Sequence, residues 1–268
     1  MEEIKLMGKI ILIASGKGGT GKTTAAANIA AAISASDKLT LAVDMDIGLR
    51  NLDIALGLES SVVYDICDVI EGRCTLDEAL IKDNTRGNLY ILSAPQTRAA
   101  ADFDRDAFSD LWQRLKDRFD YCVIDAPAGI GGGFEYALSG ADAAVVVTTP
   151  EVSALRDADR VISVIEDCGL EDIRLILNRV RPDLIHNGVM MNADDCVDML
   201  GIPILGIVPE DDELKIAALK GELAVSNNAS AGIAFSNIAK RILGEEIPIM
   251  DFEVKTGFWG RLRHIFKG

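Results

Sequence analysis

The chain has 268 residues, of which 49% are hydrophobic and 26% charged, so it is long enough to bury a sizeable core, and it has no linker that would divide it. Its formal net charge of −15 argues against a general nucleic-acid-binding surface, because phosphate neutralisation requires clustered lysine and arginine. Five cysteines without a C-x-x-C pair, and no apolar run near the roughly 18 residues of a membrane span, favour a cytoplasmic protein whose thiols are reduced and buried.

Short apolar segments alternate with helical patterns along the chain. The apolar segments predict strands at residues 10–13, 39–43, 89–92, 121–124, 143–148, 173–177 and 204–208. Amphipathic or alanine-rich patterns predict helices at 23–36, 106–118, 153–167, 193–200 and 227–243. This alternation implies right-handed crossovers, so we expect an α/β domain over residues 1–250, with a doubly wound, mainly parallel sheet and helices on both faces.

The first predicted strand leads into a glycine-rich loop with the strongest motif in the chain. Its residues are Gly16, Lys17, Gly18, Gly19, Thr20, Gly21, Lys22, Thr23 and Thr24, and they match the template G-x-x-x-x-G-K-[ST]. Glycines let backbone N–H groups point at phosphate oxygens, Lys22 supplies charge to the β- and γ-phosphates, and the Thr23 hydroxyl can bind Mg²⁺. Because a strand precedes this phosphate loop (residues 16–24) and a helix follows it, the sequence predicts a site for ATP and Mg²⁺.

Lys17 is a second lysine that a standard phosphate loop does not need. A cation near the start of the loop is able to reach the γ-phosphate held by a partner subunit. The sequence therefore predicts a homodimer whose formation depends on bound ATP.

Aspartates follow two other predicted strands, and parallel sheets bind ligands at the carboxyl ends of strands. We expect Asp44 to support the metal through water and Asp46 to orient or deprotonate the attacking water; a solvated turn with an Asx cap is the alternative. Asp125 follows the strand at 121–124 in the Walker B arrangement, which supports Mg²⁺. The segment 127–133 is then either a switch that responds to the γ-phosphate or a glycine-rich loop without that role.

The last two predicted strands lead into candidate residues for the adenine pocket. Asn178 and Arg179 follow the strand at 173–177, and Pro209, Glu210 and Asp211 follow the strand at 204–208. A side-chain amide can hydrogen-bond the edge of the base, and the second loop can form a wall beside it. Residues of these types are also common in ordinary turns, which is the alternative interpretation.

The composition changes at the end of the chain, where residues 255–268 include four lysines and arginines and no acid. Residues 251–268 are therefore expected to form a linker and an amphipathic helix. Its apolar and basic residues are Phe258, Trp259, Leu262, Ile265 and Phe266, and Arg261, Arg263 and Lys267. This pattern is typical of a helix on an anionic membrane surface, and two copies in a dimer bind more firmly than one. A helix docked on its own domain is the alternative.

The loop with Lys17 is similar to that of the deviant Walker A ATPases. Together with D-M-D-I-G-L-R-N-L-D, V-V-Y-D-I-C-D-V-I-E-G, L-S-A-P-Q-T-R, D-A-P-A-G-I and the tail, the sequence resembles the ParA/MinD family over essentially its whole length, in particular the regulators of the cell-division site. The resemblance implies a P-loop NTPase fold of the SIMIBI type. It also implies a slow ATPase that forms a sandwich dimer with ATP, attaches reversibly to the inner face of the cell membrane, recruits the division inhibitor MinC, and is released by the activator MinE where one exists.

By position, the resemblance gives Lys17 the role of reaching across the dimer. Lys22, Thr23, Asp46 and Asp125 become the phosphate, metal, water-orienting and Walker B groups. Ala126 departs from those members of the family that carry serine at this position.

Four other functions remain open at this stage. A flagellar-number regulator shares the loop and the tail and differs in the segment 47–53. A chromosome or plasmid partition ATPase requires a DNA-binding surface, and an iron–sulfur carrier requires cysteines that hold a cluster between subunits. A nucleotide-gated scaffold with negligible turnover comes from a different functional class.

Overall fold

The fold is organised around one eight-stranded sheet. The computed structural model describes residues 7–96, 105–131, 133–226 and 229–249. The strands are β1 Lys9–Ala14, β2 Thr40–Asp44, β3 Ile81–Lys82, β4 Leu89–Leu92, β5 Tyr121–Asp125, β6 Ala143–Thr148, β7 Ile173–Val180 and β8 Ile204–Pro209. Their spatial order is β3-β4-β2-β5-β1-β6-β7-β8, and every neighbouring pair is parallel except β3 with β4.

Helices cover both faces of this sheet. They are α1 Lys22–Ser34, α2 Leu52–Leu56, α3 Ile66–Ile70, α4 Leu76–Ala79, α5 Arg105–Arg118, α6 Phe134–Ser139, α7 Val152–Asp167, α8 Pro182–His186, α9 Ala193–Leu200, α10 Asp212–Leu219 and α11 Ser230–Ile242. Helices α1, α2 and α11 enclose one buried apolar cluster, and α3 to α7 with α9 enclose another on the opposite face. The predicted doubly wound α/β fold is confirmed.

The strands are apolar on both faces because helices cover both sides of the sheet. Strand β6 reads Ala-Ala-Val-Val-Val-Thr, and all six of its residues are buried. β-Branched side chains suit such a strand, since they pack well on a pleated surface. The central strands therefore hold their carboxyl ends in fixed register, and this register positions the site.

All seven predicted strands are present, and the five predicted helices correspond to α1, α5, α7, α9 and α11. Strand β3 and the helices α2, α3, α4, α6, α8 and α10 were not predicted from the sequence. These helices have between four and eight residues, so at most about two turns are available to reveal a 3.6-residue period, and α9 is the one helix of that length that was recognised.

Two expectations about local structure are wrong. Strand β7 extends to Val180, so Asn178 and Arg179 lie within the strand rather than after it. Arg179 has a φ of 56°, and the pairing of β7 with β8 changes register there. Cys168 is exposed at the end of α7, and Cys74 is only half-buried, so the thiols do not all belong to the core.

The predicted membrane-binding tail, residues 251–268, lies outside the described residues, as does residue 250. The boundary between the ATPase domain and the tail therefore stays a prediction. Among the residues that are described, no helix is both long enough and apolar enough to traverse a bilayer.

Candidate functional site

The phosphate loop connects β1 to α1 at the carboxyl edge of the sheet. Gly21 adopts a left-handed conformation with a φ of 91°, and α1 begins at the next residue, Lys22. A Cβ atom added to Gly18 or Gly19 would meet no atom within 4 Å, so the outer side of the loop is open. The N-terminus of α1, with its unpaired amides and positive dipole end, faces this loop and suits an anion.

The start of the loop is packed against backbone on two sides. A Cβ atom on Gly16 would lie 2.2 Å from the backbone carbonyl carbon of Asp157 in α7, so no larger residue fits without moving the helix. The amide of Gly129 donates a hydrogen bond to the carbonyl of Ser15 at 2.9 Å. The glycine-rich segment that follows β5 is therefore attached to the phosphate loop.

Asn178 braces the end of the loop from β7. Its side chain is buried, and its Nδ2 atom donates a hydrogen bond to the carbonyl of Thr20 at 2.7 Å. A Cβ atom on Gly21 would lie 2.2 Å from the same Nδ2 atom. Asn178 Oδ1 and Thr20 Oγ1 are also buried, and neither atom forms a hydrogen bond with another described residue. The side chain of Asn178 thus supports the loop, and its contact with the base stays a prediction.

A buried ion pair joins the loop to β5. The Nζ atom of Lys22 lies 2.5 Å from Oδ1 of Asp125, and the two side chains are 6% and 0% exposed. Burial raises the pKa of Asp125, while the charge of Lys22 and hydrogen bonds from Lys22 and Thr23 oppose that rise. The second carboxylate oxygen, Oδ2, is buried and accepts no hydrogen bond within the described part of the chain.

Asp44 is the neighbour of Asp125 across the parallel register of β2 and β5. It is fully buried, and its two oxygens accept hydrogen bonds from the amides of Asp46 at 2.8 Å and of Asn51 and Leu52 at 3.0 Å. Burial, and then the nearby charge of Asp125, raise its pKa to about 7, against the effect of the donating amides. The Asx-type cap is therefore present, in a buried rather than a solvated turn. A water-mediated metal role for Asp44 stays a prediction.

Asp46 stands at the start of the turn that Asp44 holds. Its side chain is half-buried, and burial raises its pKa while the charge of Lys22 opposes the rise. Its own charge in turn raises the pKa of Asp125. Lys22, Asp46 and Asp125 are thus close enough to influence each other electrostatically, and the water-orienting role of Asp46 stays a prediction.

Lys17 and the threonines complete the loop. Lys17 is half-buried, and no carboxylate in the described ranges forms an ion pair with it. Thr23 and Thr24 are half-buried in the first turn of α1, and the carbonyl of Thr24 accepts a hydrogen bond from Asn28 Nδ2 at 2.8 Å.

Asn28 supports the helix behind the phosphate loop, and its role was not predicted from the sequence. It is 1% exposed, and its Oδ1 atom accepts a hydrogen bond from the amide of Val225 at 3.1 Å. It therefore ties α1 to the segment that follows α10. A single amide within an otherwise alanine- and isoleucine-rich helix was the available signal.

The expected base-pocket residues of the second loop lie beside the end of β7. Pro209 ends β8, and the amide of Glu210 donates to the carbonyl of Val180 at 3.0 Å. Asp211 accepts hydrogen bonds from the amides of Glu213 at 2.9 Å and Ala231 at 3.0 Å, so its carboxylate caps α10 and supports the start of α11. These residues line a cleft of about 390 Å³ with Asp212, Glu213, Ala229 and Ser230.

The residues present fit a magnesium nucleotide. The Thr23 hydroxyl and the Asp125 carboxylate are hard oxygen ligands, and Asp125 Oδ2 has unused acceptor capacity among the described residues. The described residues include no group of three His, Cys, Asp or Glu side chains that would enclose a metal on their own. A nucleotide-bound Mg²⁺ does not need such an enclosure, because phosphates and water supply most of its ligands.

A strand, a phosphate loop, a helix and an aspartate on the adjacent strand define a P-loop nucleotide-binding protein. Residues 11–225 match the family model of the CobQ/CobB/MinD/ParA nucleotide binding domain. The chain is 46% identical to the septum site-determining protein MinD of Bacillus subtilis over 264 residues, which cover 97% of this chain and 98% of the relative.

Two solved structures share the fold. One is the MinC:MinD cell division protein complex of Aquifex aeolicus, with 40% identity, a TM-score of 0.85, and coverage of 91% of this chain and 99% of that one. The other is the septum site-determining protein MinD of Pyrococcus horikoshii complexed with Mg-ADP, with 31% identity, a TM-score of 0.78, and coverage of 90% and 100%. The chain belongs to the MinD/ParA family of nucleotide-binding ATPases, among the septum site-determining MinD proteins.

The contact between Gly21 and Asn178 predicts non-additive stability. Gly21→Ala should destabilise the protein because alanine disfavours the left-handed conformation and its Cβ clashes with Nδ2. Asn178→Ala should destabilise it by about 1 kcal/mol through the lost hydrogen bond to Thr20. The double variant lacks the clash, so urea unfolding should show a loss smaller than the sum of the single losses by about 1 kcal/mol. Additivity within about 0.3 kcal/mol would contradict the contact.

Proposed function

We propose that this chain is an ATP-driven membrane switch that selects the cell-division site. It binds Mg-ATP, pairs with a second copy, attaches to the inner face of the cell membrane and recruits a MinC-type inhibitor until hydrolysis releases it. The observation that carries this proposal is the buried Lys22–Asp125 pair beneath an open phosphate loop that also bears Lys17. The 46% identity to a septum site-determining relative supports this function over flagellar-number control or partition.

Nucleotide binding begins with groups that the fold holds in place. The loop amides and the N-terminus of α1 receive the phosphates. Lys22, which neutralises Asp125 in this structure, would turn its charge to the β- and γ-phosphates, and Asp125 and Thr23 would then hold the metal. Mg²⁺, when bound, neutralises negative charge that develops on the phosphate oxygens. Asn178 holds the loop carbonyl at Thr20 in position during this exchange.

Hydrolysis is assigned to Asp46, which orients the attacking water. Its carboxylate lies in the field of Lys22, at the start of a turn fixed by Asp44. Because orientation of water is the main task in phosphoryl transfer, the position of this carboxylate matters more than its basicity. We expect turnover to be slow without a partner, because the site is completed only on dimerisation, and a MinE-type activator would act on that step.

Dimerisation is assigned to Lys17. No carboxylate in the described ranges pairs with its side chain, so its charge is available to the phosphates of a second copy. A MinC-type partner is supported by the solved MinC:MinD complex of a relative that is 40% identical. Attachment to the membrane is assigned to residues 251–268, from their composition.

Removal of the Lys17 charge should separate nucleotide binding from pairing. Lys17→Ala should still bind ADP, because Lys22 and the loop amides remain, but should stay monomeric with a non-hydrolysable ATP analogue and Mg²⁺. Light scattering after size exclusion measures the mass. Lys38→Ala, which removes an exposed lysine beyond α1, is the control and should dimerise normally. A Lys17→Ala dimer of normal affinity would contradict the proposal.

Deletion of residues 258–268 should abolish attachment to membranes and leave ATP binding intact. The measurement is co-sedimentation with anionic vesicles in the presence of ATP, ADP or a non-hydrolysable analogue. The full chain should sediment with ATP and the analogue and much less with ADP, because two tails bind together in the dimer. Leu262→Glu in the full-length chain, which keeps the length but interrupts the apolar stripe, should resemble the deletion. Sedimentation of the truncated chain would contradict the assignment.

A further inference from the structure

Arg50 and Asp53 form an ion pair at the end of the turn that carries Asp46, with Asp53 buried and Arg50 half-buried. The Nε atom of Arg50 lies 2.5 Å from Oδ2 of Asp53, and the side chains are 15% and 1% exposed. Arg50 also donates through Nη2 to the carbonyl of Glu59 at 3.3 Å, and Asp53 Oδ1 accepts from the amide of Ile54 at 2.9 Å. Arg50 thus links the first turn of α2 to the segment that follows this helix, and among the described residues the pair forms no hydrogen bond or ion pair with the phosphate loop.

The backbone at Arg50 is in a conformation that arginine normally avoids. Its φ is 45°, in the left-handed region that favours glycine. The carbonyl of Asp46 accepts hydrogen bonds from the amides of Leu49 at 3.1 Å and Arg50 at 3.2 Å, which closes the turn. The conformation of Arg50 therefore determines how the chain returns after Asp46.

The turn is held from its other side by Asp44. That carboxylate binds the amide of Asp46 on one side of the turn and the amides of Asn51 and Leu52 on the other. The carbonyl of Pro95 accepts a hydrogen bond from the amide of Gly48 at 2.9 Å, which fixes the tip of the turn. The cap spans residues 46–52 and the ion pair spans residues 50–53, so the two overlap at the end of the turn and together hold residues 46–53.

Stability alone does not account for a buried ion pair here. Removing two charges from water costs about as much as their attraction returns, so our hypothesis is that this pair acts through the conformation that it selects. The conformation selected in this case is the left-handed turn at Arg50, and the functional group on that turn is Asp46.

We infer that Arg50 and Asp53 are positioning residues for hydrolysis, whose ion pair locks the 46–53 turn and so sets the direction of the Asp46 carboxylate. Neither side chain is required to touch the nucleotide. This inference rests on the proposed role of Asp46, and it adds that the rate of hydrolysis depends on a pair that makes no contribution to nucleotide affinity.

A second ion pair in the chain provides a matched control. Asp83 and Arg86 have the same i, i+3 spacing and the same 2.5 Å separation, and Asp83 is 2% exposed. They lie in the turn between β3 and β4, at the edge of the sheet opposite the phosphate loop. Asp53→Asn and Asp83→Asn therefore remove equivalent charges, one beside the site and one remote from it.

The test compares turnover, ADP affinity and urea unfolding of the full chain with Mg-ATP and anionic vesicles. In Asp53→Asn, kcat should fall about tenfold or more, as misplacement of a catalytic group predicts, with KM and the Kd for ADP within about twofold of the parent. Asp83→Asn should lose comparable stability and keep the parental kcat. A parental kcat in Asp53→Asn, or an equal loss of kcat in Asp83→Asn, would overturn the inference.

Two further variants separate the possible failures. Arg50→Lys keeps the charge but cannot make both guanidinium contacts, so kcat should fall while ADP affinity is retained, and an unchanged kcat overturns the inference even if Asp53→Asn does not fold. Asp46→Ala should abolish turnover. Parental turnover in Asp46→Ala would refute the proposed function as well, whereas an inactive Asp46→Ala beside a fully active Asp53→Asn would refute the positioning role alone.

Discussion

The contact on which the site depends is the ion pair between Lys22, the first residue of α1, and Asp125, the last residue of β5. Both groups are almost completely buried, and a carboxylate left alone at that depth would be strongly destabilising. Asp125 lies beside Ile13 of β1 and Asp44 of β2 in the parallel register, so its position is set by the sheet rather than by a loop. If Lys22 pairs with a phosphate instead, the negative charge of Asp125 needs another cation to balance it. A metal ion can be that cation.

Asp125 also connects the phosphate loop to the turn that bears Asp46, through its backbone and its side chain. The backbone carbonyl of Asp125 accepts a hydrogen bond from the amide of Met45 at 2.9 Å. The charge of the Asp125 side chain contributes to the raised pKa of Asp44. Asp44 in turn holds three amides of the turn 46–52. When Lys22 changes its partner, the electrostatic field of Asp125 at Asp44, on the neighbouring strand, therefore changes as well. Asp125 at the end of β5 and Asp44 at the end of β2 are adjacent carboxylates, so we expect the nucleotide and the turn to respond together.

The parts of this arrangement that the sequence predicted are those with local signals. The strand, phosphate loop and helix are continuous in the chain, and an aspartate after an apolar strand identifies Asp125 without a structure. The parts that were not predicted depend on partners brought together by the sheet. Asn178 reaches Thr20 across 158 residues, and the amide-binding role of Asp44 exists only because the chain folds back at Arg50. The short helices α2, α3 and α4 lack a recognisable period, so the segment that fixes Asp46 was the least predictable part of the site.

The central claim is that Lys22 is shared between Asp125 and the phosphates. It is tested most directly by the ADP affinity of the parent chain and of Asp125→Asn, measured by calorimetry with Mg²⁺ and with EDTA. The neutral amide releases Lys22 and removes a negative charge from the site. Asp125→Asn should therefore bind ADP more tightly than the parent in EDTA, and should lose most of the gain in affinity that Mg²⁺ gives the parent. Weaker or equal binding in EDTA together with a full gain from Mg²⁺ would contradict the account.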